Sequence, residues 1–252
     1  MHGRPLAVLD TIICGKAEKD TIKSLVKGIS DACRENECVL IGGETSIQPQ
    51  VVDKGIYVLT STIAGVVDKE DVIDGSRIAA GDRMLAVASN GLHTNGYSLV
   101  RMLMEIYPEI KKEEIDGEGF IEYIMRPHTA DYPVLKRVVN QDEVAGMAHI
   151  TGGGIEGNVQ RIIPDGLCAE IDLAKIKVLP IFHLIRQMAC AKDQEMLSTF
   201  NCGVGLVMVV RERFVRKIMH GIAPWMGCYE IGVIREAKSG QKVDFVNALL
   251  WK

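Results

Sequence analysis

The sequence predicts a layered α/β protein in two domains, and three observations predict it. Apolar runs of strand length alternate with segments of helical spacing along most of the 252 residues. The strand-like runs end repeatedly at glycine-rich turns. A charged stretch, residues 68–81 with the turn dipeptides Asp74-Gly75 and Gly81-Asp82, separates a shorter first part from a longer second. At 47% hydrophobic residues the chain has enough apolar side chains for a sizeable core.

In the first part, Val8-Leu9-Asp10 reads as the interior of a strand. Asp20 is placed to cap a helix whose Ile22, Leu25, Val26, Ile29 and Cys33 fall at helical spacing, opposite a polar face of Lys19, Lys23, Lys27 and Asp31. The run from Cys38 to Ile41 reads as a short buried strand that stops at Gly42-Gly43 and feeds a loop. Residues 57–67, dense in Val, Thr and Ile, give another strand. In the second part the spacing predicts strands at 84–88, 146–150, 204–210, 229–234 and 242–246. It predicts helices at 97–106, 155–163, 181–188 and 212–221, the second of these ended by Pro164.

Charge and hydropathy exclude whole classes of partner. The net charge is -4 and the isoelectric point near 5.9, with no dense Lys/Arg stripe, which argues against nucleic acid. The longest apolar runs, such as Gly205 to Val210, fall far below the roughly 18 residues that span a bilayer, and there is no apolar secretory core at the start. The reading is a soluble, cytoplasmic protein. Seven cysteines, at 14, 33, 38, 168, 190, 202 and 228, include no CxxC pair, so reduced thiols serving mainly as small core residues are expected.

Four glycine-rich segments follow predicted strands, where α/β proteins place ligands. In Gly42-Gly43-Glu44-Thr45 the glycines would let the backbone approach a phosphate, and the carboxylate could hold Mg²⁺; alone, such a pair is more often a plain turn. The string from Ser89 to Arg101 packs glycines, hydroxyls, amides and an imidazole into the turn before a helix, where an anion would be favoured; the plainer reading is a polar helix cap. His149 and Thr151 precede Gly152-Gly153-Gly154, with a catalytic and a hydrogen-bonded core role for the histidine equally open. In residues 199–205, Cys202 has no neighbouring cation to activate it, so a structural role is expected.

The strings GGET, SNGLHTNGYSLVR, AHITGGG and TFNCGVG, in this order and at these separations, resemble the AIR synthase (phosphoribosylformylglycinamidine cyclo-ligase) family. Weaker matches extend the resemblance over nearly the whole chain, to about Val246. It implies residues 1–72 as a partial N-terminal α/β domain, for ATP binding and dimerisation, lacking the family's upstream glycine-rich segment. Residues 73–252 would be a complete C-terminal α/β domain of the AIR synthase type. The implied activity is ring closure of formylglycinamidine ribonucleotide to aminoimidazole ribonucleotide with ATP and Mg²⁺, in a homodimer whose ATP site lies between the domains. By the motifs, Glu44 handles Mg²⁺-ATP with Gly42, Gly43 and Thr45, and Asp10 and Lys16 assist, Asp10 as a second metal ligand. Ser89, His93, Asn95, Gly96 and Arg101 would contact the ribonucleotide, with Gly152, Gly153, Gly154 and Asn201 around the ring-closing end and His149 as proton carrier or orienting donor. Residues 46–50 and 126–129 depart from the family strings. The competing readings are a shortened, catalytically impaired binding module and a sister ATP enzyme of the selenophosphate or thiamine-phosphate kinase kind.

Overall fold

The computed structural model describes residues 3–238 and 240–251. Its contacts divide the chain at Val72/Ile73, with residues 130–136 joined to the first unit.

The first unit is a three-stranded sheet with one long helix. β1 (Arg4–Cys14) is central, with β2 (Val39–Ile47) parallel on one side and β3 (Tyr57–Val66) antiparallel on the other. Val8, Asp10, Ile12 and Cys14 are buried on one face of β1, while Leu9 on the other face stays 47% exposed. α1 (Lys19–Glu35) packs on β2, and Val8, Cys33 and Cys38 make a small buried cluster with Ile29 and Leu40. The residue at the helix N-cap is Glu18, so Asp20 does not cap it; it sits in the first turn, where its negative charge meets the positive end of the helix dipole.

The expectation for β2 is corrected in two respects. Val39 and Ile41 are 61% and 62% exposed, so this is an open edge strand instead of a buried one. It also runs straight through the two glycines to Ile47, so Gly42, Gly43, Glu44 and Thr45 form no loop. The reason lies in the pairing: Gly43 stands opposite Asp10, and a β-carbon there would lie 2.1 Å from Asp10 Oδ1. Glycine is required there by the Asp10 backbone oxygen, 2.3 Å from such a carbon, as well as by the carboxylate, and the backbone remains extended.

The second unit is built on a six-stranded sheet. In chain order come β4 (Arg83–Ala88), α2 (Tyr97–Ile106), the small hairpin β5 (Glu114–Ile115) and β6 (Glu118–Gly119), and α3 (Phe120–Ile124). After α4 (Tyr132–Val138), whose residues 132–136 belong to the first unit, follow β7 (Val144–His149), α5 (Gly154–Val159), β8 (Leu167–Asp172), α6 (Pro180–Ala189) and α7 (Asp193–Thr199). The chain closes with β9 (Val204–Val210), α8 (Val215–Ile222), β10 (Cys228–Glu236) and β11 (Val243–Val246). The sheet order is β11-β8-β10-β4-β9-β7, antiparallel except where β11 meets β8.

Every residue of β9 is buried because both faces of the sheet are covered, which is why it reads as an unbroken apolar run. Met84, Ala86, Val207 and Val209 face a core shared with Val100 and Leu103 of α2, Ile155 of α5 and Phe182 of α6. α8 contacts β4 and β10. The helix expected at 155–163 stops at Val159, before Pro164 is reached. No helix among the described residues is long and apolar enough to cross a membrane.

Candidate functional site

Three turns of the second unit meet, and each follows or precedes a buried strand. The first joins β4 to α2 and holds Ser89, His93, Asn95 and Gly96. The second follows β7 and holds His149 and Gly152 to Gly154; the third precedes β9 and holds Asn201.

Asn201, 4% exposed, joins the first and third turns. Its Oδ1 accepts from Ser89 Oγ at 2.9 Å and from the Gly203 amide at 2.8 Å, and its Nδ2 donates to Gly91 O at 2.9 Å. Ser89 N donates to Gly203 O at 3.0 Å, completing a two-way tie. In the second turn Asn158 of α5, also buried, donates to Gly154 O at 2.7 Å and accepts from Thr151 Oγ1 at 3.2 Å. Gly154 has φ +61°, and a β-carbon on it would fall 1.6 Å from Leu197 O, so the α5–α7 approach admits glycine alone. A carbon added to Gly152 would lie 3.4 Å from Asn95 Oδ1, which makes the first and second turns neighbours.

The plainer reading of the string from Ser89 to Arg101 does not hold, for no polar side chain caps α2. Its N-cap is Gly96 in the left-handed region at φ +83°, with no capping side chain, and Thr94 is exposed. Ser89 is instead bound to Asn201 of the third turn, and Asn90 to His93 and to Pro127 O.

His93 is 7% exposed and adopts φ +57°. Its Nε2 lies 3.0 Å from Asn90 Oδ1, while its Nδ1 is buried with no hydrogen-bond partner. The ring stacks on His128 with centroids 3.7 Å apart, and His128 stacks on the exposed His149 at 5.2 Å. Burial, then the neighbouring His128 and His149, lowers the His93 pKa to about 4. Burial and His149 likewise hold His128 below the usual imidazole range. At neutral pH His93 is thus a neutral imidazole, able to accept at one nitrogen and donate at the other.

The remaining expected residues fall elsewhere. Arg101 is exposed on the second turn of α2, apart from the hydrogen bonds that join the three turns. Burial pushes the Cys202 thiol up to about 12, which leaves it inert as a nucleophile, and all seven cysteines are unpaired.

In the first unit, Asp10 and Glu44 do not form one metal site. Glu44 is registered with Thr11, the neighbour of Asp10, and strand alternation puts their side chains on opposite faces. Asp10 is buried at 8% on the helix-covered face; Glu44 is exposed on the open face, with Gly42 and Thr45 beside it in the strand. Lys16 is exposed and paired with Glu18, whose hydrogen bond and charge raise its pKa.

Sequence reasoning did not single out His128 as a site residue, and it named Asn90 only within the string from Ser89 to Arg101. No local pattern puts His128 beside His93 and His149, because only the tertiary fold brings residues so far apart in the chain into one stack.

Comparisons with known proteins agree across the chain. Residues 1–67 match the family model "AIR synthase related protein, N-terminal domain", and residues 79–244 match the corresponding C-terminal domain. A protein of Methylobacillus flagellatus named phosphoribosylformylglycinamidine cyclo-ligase is 39% identical over 238 residues, covering 94% of this chain and 69% of that one. A relative of the same name from Bacillus cereus is 39% identical over 218 residues, covering 85% of this chain and 63% of its own length. In three dimensions the chain resembles the crystal structure of E. coli HypE, a hydrogenase maturation protein, with a TM-score of 0.71 at 17% identity, over 97% of this chain and 71% of the other. The last likeness speaks to fold alone. With its two domain models in register and its cyclo-ligase relatives covering most of its length, this chain belongs to the AIR synthase related family.

Proposed function

We propose that the chain carries out the ATP-dependent closure of formylglycinamidine ribonucleotide to aminoimidazole ribonucleotide. The observation that carries this reading is the 39% identity, over 94% of the chain, with a relative named for that reaction. The chain spans 63–69% of the length of these relatives, so the activity is assigned to it on this likeness.

The chemistry sets what the residues must do. An amide oxygen leaves poorly, whereas phosphate leaves readily, so phosphoryl transfer from ATP to the formamide oxygen prepares the carbon for attack. The amidine nitrogen then bonds to that carbon, the carbon–oxygen bond breaks with loss of phosphate, and the nitrogen gives up a proton. The protein's share is positioning and charge neutralisation.

His149, exposed at the end of β7, is the group we assign to receive that proton. The neutral His93, with its unpartnered Nδ1, and the amides of Asn95, Gly152 and Gly153 are assigned to the ribonucleotide, the Gly154 amide being held by Thr151 O at 3.0 Å. The uncapped first turn of α2 supports an anionic group on that side. Arg101 is left out of this assignment.

Mg²⁺ and the ATP phosphates are assigned to Glu44 in the first unit. Its exposed carboxylate is a hard oxygen donor, and Mg²⁺ is commonly held through one or two carboxylates together with phosphates and water. Asp10, facing the other way, serves the sheet by fixing the position opposite Gly43. A homodimer through this sheet is also proposed. Leu9, Ile13 and Val58 share its open face, with Leu9 and Val58 47% and 44% exposed, a surface that a second copy would cover. Such an enzyme would work in the cytoplasm.

The test is to incubate the purified chain with the ring-open ribonucleotide and Mg²⁺-ATP and follow ADP and the imidazole product together. Stoichiometric appearance of both is expected. Binding of both substrates by calorimetry with no product would make this chain a binding module instead.

A further inference from the structure

His128 has no part in the assignments above, yet its ring lies between two imidazoles that do. It is inclined 23° to His93 at 3.7 Å and 20° to His149 at 5.2 Å. The two residues before it are both fastened. Arg126 lies 3.7 Å over the Tyr123 ring, donates from Nε to Glu118 Oε2 at 2.8 Å, and donates from Nη1 to Asn90 O at 3.1 Å. Pro127 O accepts from Asn90 Nδ2 at 2.8 Å, and Asn90 Oδ1 lies 3.0 Å from His93 Nε2. One asparagine therefore fixes both the backbone that delivers His128 and the ring on which it stacks. Proline at 127 narrows the backbone further.

An exposed imidazole at a strand end would ordinarily sample several orientations about its two side-chain torsions. A flat ring held against one of its faces removes most of them. Stacked aromatic pairs bias such equilibria roughly two- to tenfold. That is a small effect on folding and a direct one on the geometry of proton transfer.

We propose that His128 is a positioning residue for ring closure: by stacking on one face of His149 it sets the orientation in which that imidazole meets the substrate. This rests on the assignment of His149 to the proton-accepting end. His128 acts through its flat ring and touches no reacting atom, so a phenyl ring serves equally well.

The experiment compares His128→Ala, His128→Phe and His149→Ala in the full chain, reading kcat and KM together with the imidazole carbon–proton NMR signals. His128→Ala is expected to lower kcat about tenfold or more while KM changes less than about threefold. His128→Phe is expected to stay within about threefold of the parent in kcat. In the alanine variant the His149 ring-proton signals lose the ring-current displacement that the neighbouring ring imposes; in the phenylalanine variant they keep it. Unmoved His149 signals in the alanine variant, an unchanged kcat, or failure of phenylalanine to restore the rate overturns the proposal. Full activity in His149→Ala would instead refute the role given to His149, and the NMR signals would still decide whether His128 holds that ring. Those signals also decide the matter in a preparation without turnover.

Discussion

Asn201 uses both ends of its buried amide, its oxygen taking the Ser89 hydroxyl and the Gly203 amide and its nitrogen serving Gly91 O. Truncation to alanine leaves several buried polar groups unsatisfied, so Asn201→Ala is expected to cost about 3 kcal/mol, measured by urea unfolding. Cys202, the adjacent side chain, behaves oppositely: it is a buried thiol with nothing to activate it, and Cys202→Ala should leave turnover within a few-fold of the parent. Glu44→Gln keeps shape and removes charge. If Glu44 carries the metal, the rate should fall by about 100-fold or more. Equal losses in Cys202→Ala and Glu44→Gln would remove Glu44 from the metal assignment.

Among the elements, α5 and α7 meet where Gly154 stands against Leu197 O. Gly154→Ala must push the two helices apart or abandon the left-handed backbone, at a cost of about 3 kcal/mol, visible as a drop in Tm with the second and third turns disturbed together. How far such elements can be read from sequence depends on whether the signal is local. β9 and α2 were legible to the residue, the one as an unbroken apolar run and the other as a 3.6-residue period. β8 was not, because Leu167–Asp172 places one acid, Glu170, between its two buried residues, Ala169 and Ile171, and ends on another. β2 was misread because a glycine pair looks like a turn; the cause of Gly43 is the backbone oxygen and carboxylate of Asp10, more than thirty residues earlier in the chain, and no local pattern carries it. The polar residues of the three turns were legible as candidates, while the histidine stack that orders two of them arises only from the sheet topology.

At the scale of the whole molecule, the buried His93 ties stability to pH. Its folded pKa of about 4 lies below the usual 6.5, so the unfolded chain binds the proton more tightly. The contribution is fully present above pH 6.5 and is lost as pH falls from there toward 4. The loss amounts to about 3 kcal/mol from this group. Urea midpoints measured between pH 7 and 4.5 should show the decline, and His93→Gln should flatten that part of the slope. The proposed dimer has its own check: Leu9→Glu puts a charge on the open face of the first unit's sheet, and sedimentation should then report a monomer where the parent sediments as a dimer. The amide tie at Asn201 also reaches into slow motion. Because Ser89 N is held by Gly203 O while the Asn201 amide takes the Ser89 hydroxyl and is held by Gly91 O, the first turn cannot open to deuterium without releasing the third, and a metabolite that shields one of them should slow isotope uptake in both.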